Sequence, residues 1–408
     1  MSKKIFSVGV IALLFALGLK ILLFTDQQSI SYRENRDLAT NTQLHLSDIS
    51  SGKFQSVLEE ILMDQFPQRY TFVTLKNEME YNSVSFLYQM IENDYVLNPI
   101  GTDGIYQIGN SSVLAQGTME YSDVTASRIE RRIEQMNQLQ KDYPEIEMFV
   151  YKPTQLHESS ILDDANGIVS AGAAYSEIFK SQLDLPYDEF VLDSFDLYQD
   201  CFYWTDHHWN HKGSYIGYTQ IMELMFGDDA DVLVPLEESD CDDLKFFGTF
   251  SSRSGYVTEG SPFSVYRFDL PEYKIYNLNG EMEISNTNTF FEADYHEEMD
   301  YHYNIAYKVG DGYTKIVNED NAEKESLLII GDSYAGPVLP LLAKDFYEIT
   351  LIYPINYTSL TGNEFNYDAF IRENDVDKIL FMYTIENYFY SDEWGDRYLA
   401  FDVIREEK

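Results

Sequence analysis

Apolar positions along the chain fall into distinct regimes. From Ile5 to Phe24 they run almost unbroken, about 20 residues, the length a helix needs to cross a bilayer. Lys20 interrupts the run near its outer end, where a long stem can carry the charge to the interface. Ser29 to about Thr40 is polar and reads as a linker. Helical spacing begins at Lys53, with Phe54, Leu58, Ile61, Leu62 and Phe66 on one face, and stops at Pro67. A second apolar stretch covers Tyr70 to Ile91. Asn98-Pro99-Ile100-Gly101 and Asp103-Gly104 read as turns.

The pattern then alternates between helical and strand periods. Ala126 to Lys141 places Ile129, Ile133, Met136 and Leu139 on one helix face, and Glu147 to Tyr151 reads as a buried strand stopped by Pro153. Asn210 reads as the N-cap of a helix over Lys212 to Phe226. From Gly227 to about Asp320 the segments become short, aromatic and broken by acidic turns. Phe246–Phe250 and Ser264–Phe268 look like strands. The α/β rhythm returns with a strand at Leu327–Ile330 and a helix at Pro337–Phe346. A strand at Glu348–Tyr353, a short helix at Asp368–Glu373 and a strand at Lys378–Tyr383 follow. Such alternation predicts an α/β fold whose mostly parallel sheet is covered on both faces. The chain divides into an anchor (1–28), an N-terminal helical linker region (29–110), a first core part (111–226), a β-rich insertion (227–325) and a second core part (326–408).

Charge adds direction to this picture. Lys3 and Lys4 precede the first apolar run, so that end is expected to stay cytoplasmic and the rest to be exported. No small-residue cleavage site follows the run, which favours an uncleaved single-pass signal anchor over a cleaved signal peptide. The formal net charge of -41 argues against nucleic acid as a partner and reads as a strongly solvated surface. Abundant Tyr (33) and Phe (26) mark a folded chain. Cys201 and Cys241 are the two cysteines; a disulfide and two buried thiols are both open.

Two short stretches carry candidate chemistry. In Ile329-Ile330-Gly331-Asp332-Ser333-Tyr334 a serine follows an apolar strand and precedes a helix. There its hydroxyl points off the carboxyl edge of the sheet, and the N–H groups opening the next helix can face an oxyanion. In Thr205-Asp206-His207-His208-Trp209-Asn210 the two-residue spacing of Asp206 and His208 puts both on one side of an extended segment. The carboxylate can then orient the imidazole, while His207 points away. Zinc ligation by Asp206 with His207, His208 and His211 is one alternative. A solvated histidine loop is another, although the ring of Trp209 suggests packing or a sugar platform. A further donor is expected after the last strand, from Thr384, Glu386 or Asn387.

Tyr203-Trp204-Thr205-Asp206-His207-His208-Trp209 followed by Gly213 resembles the signature of bacterial DHHW proteins, of the SGNH-hydrolase-like group that includes the alginate O-acetyltransferases. Glu34-Asn35-Arg36-Asp37-Leu38, Asp64 to Arg69 and Gly248-Thr249-Phe250 agree, so the resemblance covers most of the chain. It implies a flavodoxin-like three-layer α/β/α core with Ser333 as nucleophile, His208 as base and Asp206 as the orienting acid. Oxyanion candidates are Ser333, Tyr334 and Asn387; substrate-binding candidates are Trp209, Tyr334 and Tyr383. No metal or cofactor is expected. The implied activity is O-acyl transfer, most simply O-acetylation, to a cell-surface polysaccharide outside the membrane. A polytopic membrane acyltransferase would supply the acyl group. A carbohydrate esterase with the same residues, and a non-catalytic glycan-binding or assembly factor, are the alternatives.

Overall fold

The structure, a computed structural model, describes residues 2–31, 33, 36–90, 97–100, 104–109, 111–255, 260–280, 282–284, 300, 302–307 and 312–389. Gly101 and Asp103 of the expected turns, and Glu34-Asn35, lie outside the described residues.

Ser2–Phe24 is one helix, and its Ile5–Phe24 stretch is long and apolar enough to cross a membrane. Lys53–Asp64 and Arg69–Met90 follow as helices. The chain then folds around an eight-stranded sheet. In spatial order its strands are Met282–Ile284, Lys274–Tyr276, Tyr313–Val317, Glu348–Ile352, Ser326–Gly331, Lys378–Met382, Glu147–Lys152 and Tyr187–Glu189. The last five are mutually parallel. The first three extend the sheet antiparallel at one edge.

Alternate residues of the parallel strands enter two separate cores, as the two-residue period of a strand requires. Phe149, Tyr151, Leu327, Ile329, Leu380 and Met382 face one layer, where Tyr218, Ile221 and Met222 of the His211–Phe226 helix pack. Met148, Val150, Leu328, Ile330, Ile379 and Phe381 face the other. They meet Ile129, Ile133 and Met136 of the Asp123–Asp142 helix and Tyr175 and Phe179 of the Gly172–Gln182 helix. The three-layer α/β/α architecture expected from the sequence is present.

Several local expectations are corrected. Asn98-Pro99-Ile100 is not a turn but part of the Leu97–Ile100 strand, where Pro99 is tolerated because that strand is the edge of a small antiparallel sheet. The strand reading of Phe246–Phe250 fails after its first residue: Gly248 adopts φ +51° and Gly248–Ser254 is helical. The helix expected over Pro337–Phe346 shrinks to Leu339–Leu342, since Pro337 and Pro340 both lack the N–H a longer helix needs. Among the described residues of 227–325, three strands belong to the main sheet, while Glu237–Phe246 and Ser261–Arg267 pair as a ribbon. Cys201 and Cys241 are unpaired, with Cys201 buried.

Candidate active site

The loop that bears Asp206 and His208 is closed at its base. Tyr203 N–H donates to His208 O (3.1 Å) and Asn210 N–H to Cys201 O (2.8 Å). Asn210 then caps the next helix, its Oδ1 accepting from the N–H groups of Lys212 (2.9 Å) and Gly213 (3.2 Å). Trp209 locks the loop from below. Its ring is fully buried beside Gly217, where an added Cβ would stand 2.5 Å from the ring. Between these ties the chain bends rather than extending as expected.

Asp206 is buried at the centre of this bend. Its Oδ1 accepts from His208 N–H (2.9 Å) and faces His208 Nδ1; its Oδ2 accepts from Thr249 N–H (2.5 Å). The last contact depends on Gly248, because the Gly248–Ser254 helix starts against the carboxylate. Thr205 O holds that helix in place by accepting from Phe250 N–H (3.0 Å). Burial alone would raise the Asp206 pKa, but His207, His208 and these hydrogen bonds outweigh it and hold the carboxyl well below its usual range. The His208 ring lies flat on Tyr303, with centroids 3.8 Å apart and planes at 7°.

Ser333 arrives from the other half of the chain. It opens a 3₁₀ turn directly after the Ser326–Gly331 strand, and its Oγ stands 2.5 Å from His208 Nε2. The preceding residue shapes the turn. Asp332 is buried and accepts from Tyr334 N–H (3.1 Å), Thr384 N–H (3.0 Å), Thr384 Oγ1 (3.2 Å) and Asn387 Nδ2 (2.6 Å). Burial pushes its pKa up, and these four donors counter that rise. The Ser333 turn is thereby bolted to the segment that follows the Lys378–Met382 strand.

A cleft of about 330 Å³ opens over Ser333 at the carboxyl ends of the parallel strands, where α/β sheets place ligands. Its lining is polar: Gln155 follows one strand, Tyr353 a second, and Thr384, Glu386 and Asn387 a third, while Thr249 and Arg253 come from the helix on Asp206. Gln155 is buried and its Oε1 has no hydrogen-bond partner. Behind it the strand ends on buried Lys152, whose Nζ lies 3.1 Å from Glu189 and 3.7 Å from Glu158. Glu386 Oε1 sits 3.1 Å from His157 Nε2.

Among the residues singled out from the sequence, Ser333, His208 and Asp206 come together. Tyr334 lines the cleft, but its N–H is engaged by Asp332 and its hydroxyl donates to His207 O. Asn387 also reaches the cleft, with its amide donating to Asp332 and Thr384. Trp209 and Tyr383 have no exposed surface, so neither offers a substrate platform; the glycine at 217 lets the Trp209 ring sink into the core. His207 does not point away: its ring lies 3.9 Å from that of His208 and lines the cleft. Burial and the neighbouring His208 lower its pKa to about 4. Ligand atoms of Asp206, His207 and His208 lie within 4.8 Å of one another. Both His208 nitrogens already face partners, however, and His211 turns to Glu238 (2.8 Å), so the larger histidine set for zinc is not assembled. Sequence reasoning missed Asp332, Gln155, Tyr303 and the role of Gly248. Gly248-Thr249-Phe250 and the Asp332 of Gly331-Asp332-Ser333 stood in recognisable motifs, and those were the visible signals among them.

Residues 187–352 match the family model described as DHHW protein. No curated protein matches the chain. Among solved structures, Bacillus cereus PatB1 with a sulfonyl adduct superposes with a TM-score of 0.53 at 18% identity, covering 74% of this chain and 98% of that one. A DHHW family protein from Eubacterium siraeum gives 0.52 at 14% identity, covering 74% and 98%. At these identities the likeness is one of fold.

Proposed function

From the DHHW-family region of this chain and the arrangement within it, we propose that the protein is a membrane-anchored O-acyltransferase. It acts outside the membrane on hydroxyls of a cell-surface polysaccharide, most simply as an O-acetyltransferase. The observation that carries this reading is the 2.5 Å approach of Ser333 Oγ to His208 Nε2, with Asp206 on the far side of the ring.

His208 takes the Ser333 proton as Oγ attacks the acyl carbonyl, and Asp206 stabilises the imidazolium that forms. The tetrahedral oxyanion is held by Ser333 N–H, with the Nε2–H of Gln155 on the cleft wall as the second donor. Tyr334 N–H and Asn387 are less suited, because Asp332 engages both. Collapse expels the donor's leaving group, which receives the proton from His208 and leaves an acyl-Ser333 ester. A sugar hydroxyl then attacks this ester, giving its proton to His208; collapse breaks the bond to Ser333 Oγ, which takes that proton back as the acylated sugar leaves. Tyr303 beneath the ring keeps it from turning between the two half-reactions.

Ile5–Phe24 crosses the membrane once, Lys3 and Lys4 stay inside, and the domain faces out. Activated acyl donors are made in the cytoplasm, so a polytopic membrane acyltransferase hands the group across. The full chain in detergent, given an activated ester, should gain one acyl group on Ser333 by mass spectrometry; Ser333→Ala should gain none. A sulfonyl fluoride should block the same residue. Unchanged acylation of Ser333→Ala would sink the assignment. Adding a glycan acceptor should move the acyl group to sugar; release of free acid alone would replace transfer by the esterase reading.

A further inference from the structure

We infer that the Arg69–Met90 helix lies in the outer interface of the bilayer, with Phe72, Leu75 and Met79 turned into lipid; this rests on the reading of Ile5–Phe24 as a membrane span. Helical geometry separates two faces, at about 100° per residue. Val73, Asn77 and Tyr81 share one face, and that face is docked on the rest of the protein. Asn77 Nδ2 donates to Ser254 O (2.7 Å), Tyr81 hydroxyl donates to Gln107 Oε1 (2.5 Å), and Val73 packs beside Gly255. Phe72, Leu75, Met79 and Phe86 project from the opposite side, and they are 56%, 51%, 63% and 62% exposed. Four large apolar side chains in one stripe form a patch that water does not favour.

The anchor identifies what covers this stripe. Leu62, on the helix just before, comes within 3.7 Å of the Cβ position of Gly18. Asn41 Nδ2 donates to Leu22 O (2.5 Å), and Gln65 bonds both backbone groups of Gln28 (2.9 and 3.2 Å). Ile21 is buried by protein inside the apolar run. Gly18 lies about 9 Å along the helix axis from Phe24 at about 1.5 Å per residue. Folded protein therefore begins below the outer end of the span, and no free tether lifts it away. The Arg69–Met90 helix starts four residues after Gln65, at that level, and its apolar side faces away from the domain. The exposed stripe, rather than an overall amphipathic pattern, is what the bilayer boundary would cover. Exposed Met63 and Phe66 continue the apolar surface toward the anchor.

The test uses the full chain in phosphatidylcholine vesicles, with Cys241→Ser and the buried Cys201 left in place. An environment-sensitive fluorophore is attached at Leu75→Cys, Met79→Cys, Glu78→Cys or, within the span, Ile11→Cys. Leu75 and Met79 are exposed, so these substitutions remove no core contact. Spin-labelled lipid should quench the probes at 75, 79 and 11 and leave the one at 78 bright. Quenching at 11 without quenching at 75 and 79 overturns the inference while the anchor stands. Absence of quenching at 11 overturns both. Emission at 75 and 79 that ignores lipid but follows protein concentration assigns the stripe to a second copy instead.

Discussion

A Cβ on Gly248 would stand 2.5 Å from Oδ2 of Asp206. The backbone there also has φ +51°, a region that side chains other than glycine seldom adopt. The glycine lets the next N–H, that of Thr249, reach the carboxylate that faces His208. Gly248→Ala should therefore misplace Asp206 without touching Ser333 or His208. Loss of kcat/KM toward an activated ester should be on the order of 100-fold. Stopped-flow acylation of the variant checks this; an unchanged rate would show that Thr249 is dispensable.

Gln155→Leu keeps the bulk of the side chain and removes its donor. Acylation of Ser333 should slow by about 10² to 10³-fold, the usual effect of deleting one oxyanion donor, with an unchanged melting temperature. If only KM rises, Gln155 binds the substrate in its ground state and the oxyanion must be held elsewhere.

Asp332→Asn places an amide among four donors that now converge on a carboxylate. At least one N–H loses its acceptor, at a cost of about 1–3 kcal/mol. Denaturant unfolding should report that loss, and acylation should fall with it because the Ser333 turn loses its tie to Thr384 and Asn387. Wild-type stability would mean the turn is held by its backbone alone.

His207 gives stability a distinctive pH dependence. Its folded pKa is lowered to about 4, below the ordinary 6.5. Between these values the unfolded chain binds more protons than the folded one, so stability rises with pH across the window and is lost as pH falls toward 4. Melting temperatures measured from pH 4 to 7 should slope less steeply in His207→Gln than in wild type. Parallel curves would remove His207 from the account.

Local and nearest-neighbour features were legible in the sequence. Asn210 caps its helix as its residue type suggests, and Ser333 follows a buried strand. The parallel sheet follows from apolar runs separated by helical spacing. What stayed hidden depends on long-range contact. Gln155 and Ser333 line one cleft only because a single strand separates the strands before them, and Tyr303 reaches His208 from a segment without clear periodicity. Trp209 misled for a related reason: a large ring among polar residues reads as exposed until Gly217, two helical turns on, is seen to make room for it. The long apolar helix at Ile5–Phe24 was readable from composition alone, whereas the apolar stripe on Arg69–Met90 could not be told from a core face before Val73, Asn77 and Tyr81 were seen to dock.

The position of Lys378–Met382 bears on the order in which the protein comes to life. This strand lies between Ser326–Gly331 and Glu147–Lys152, so no earlier strand joins the two parts of the parallel sheet by backbone pairing. Until residue 382 has been synthesised, the strand leading to Ser333 and the strand leading to Gln155 lack the neighbour that lies between them. The sheet beneath the Ser333–His208 contact is therefore closed by a late-made element, and the cleft above it takes its final shape only then.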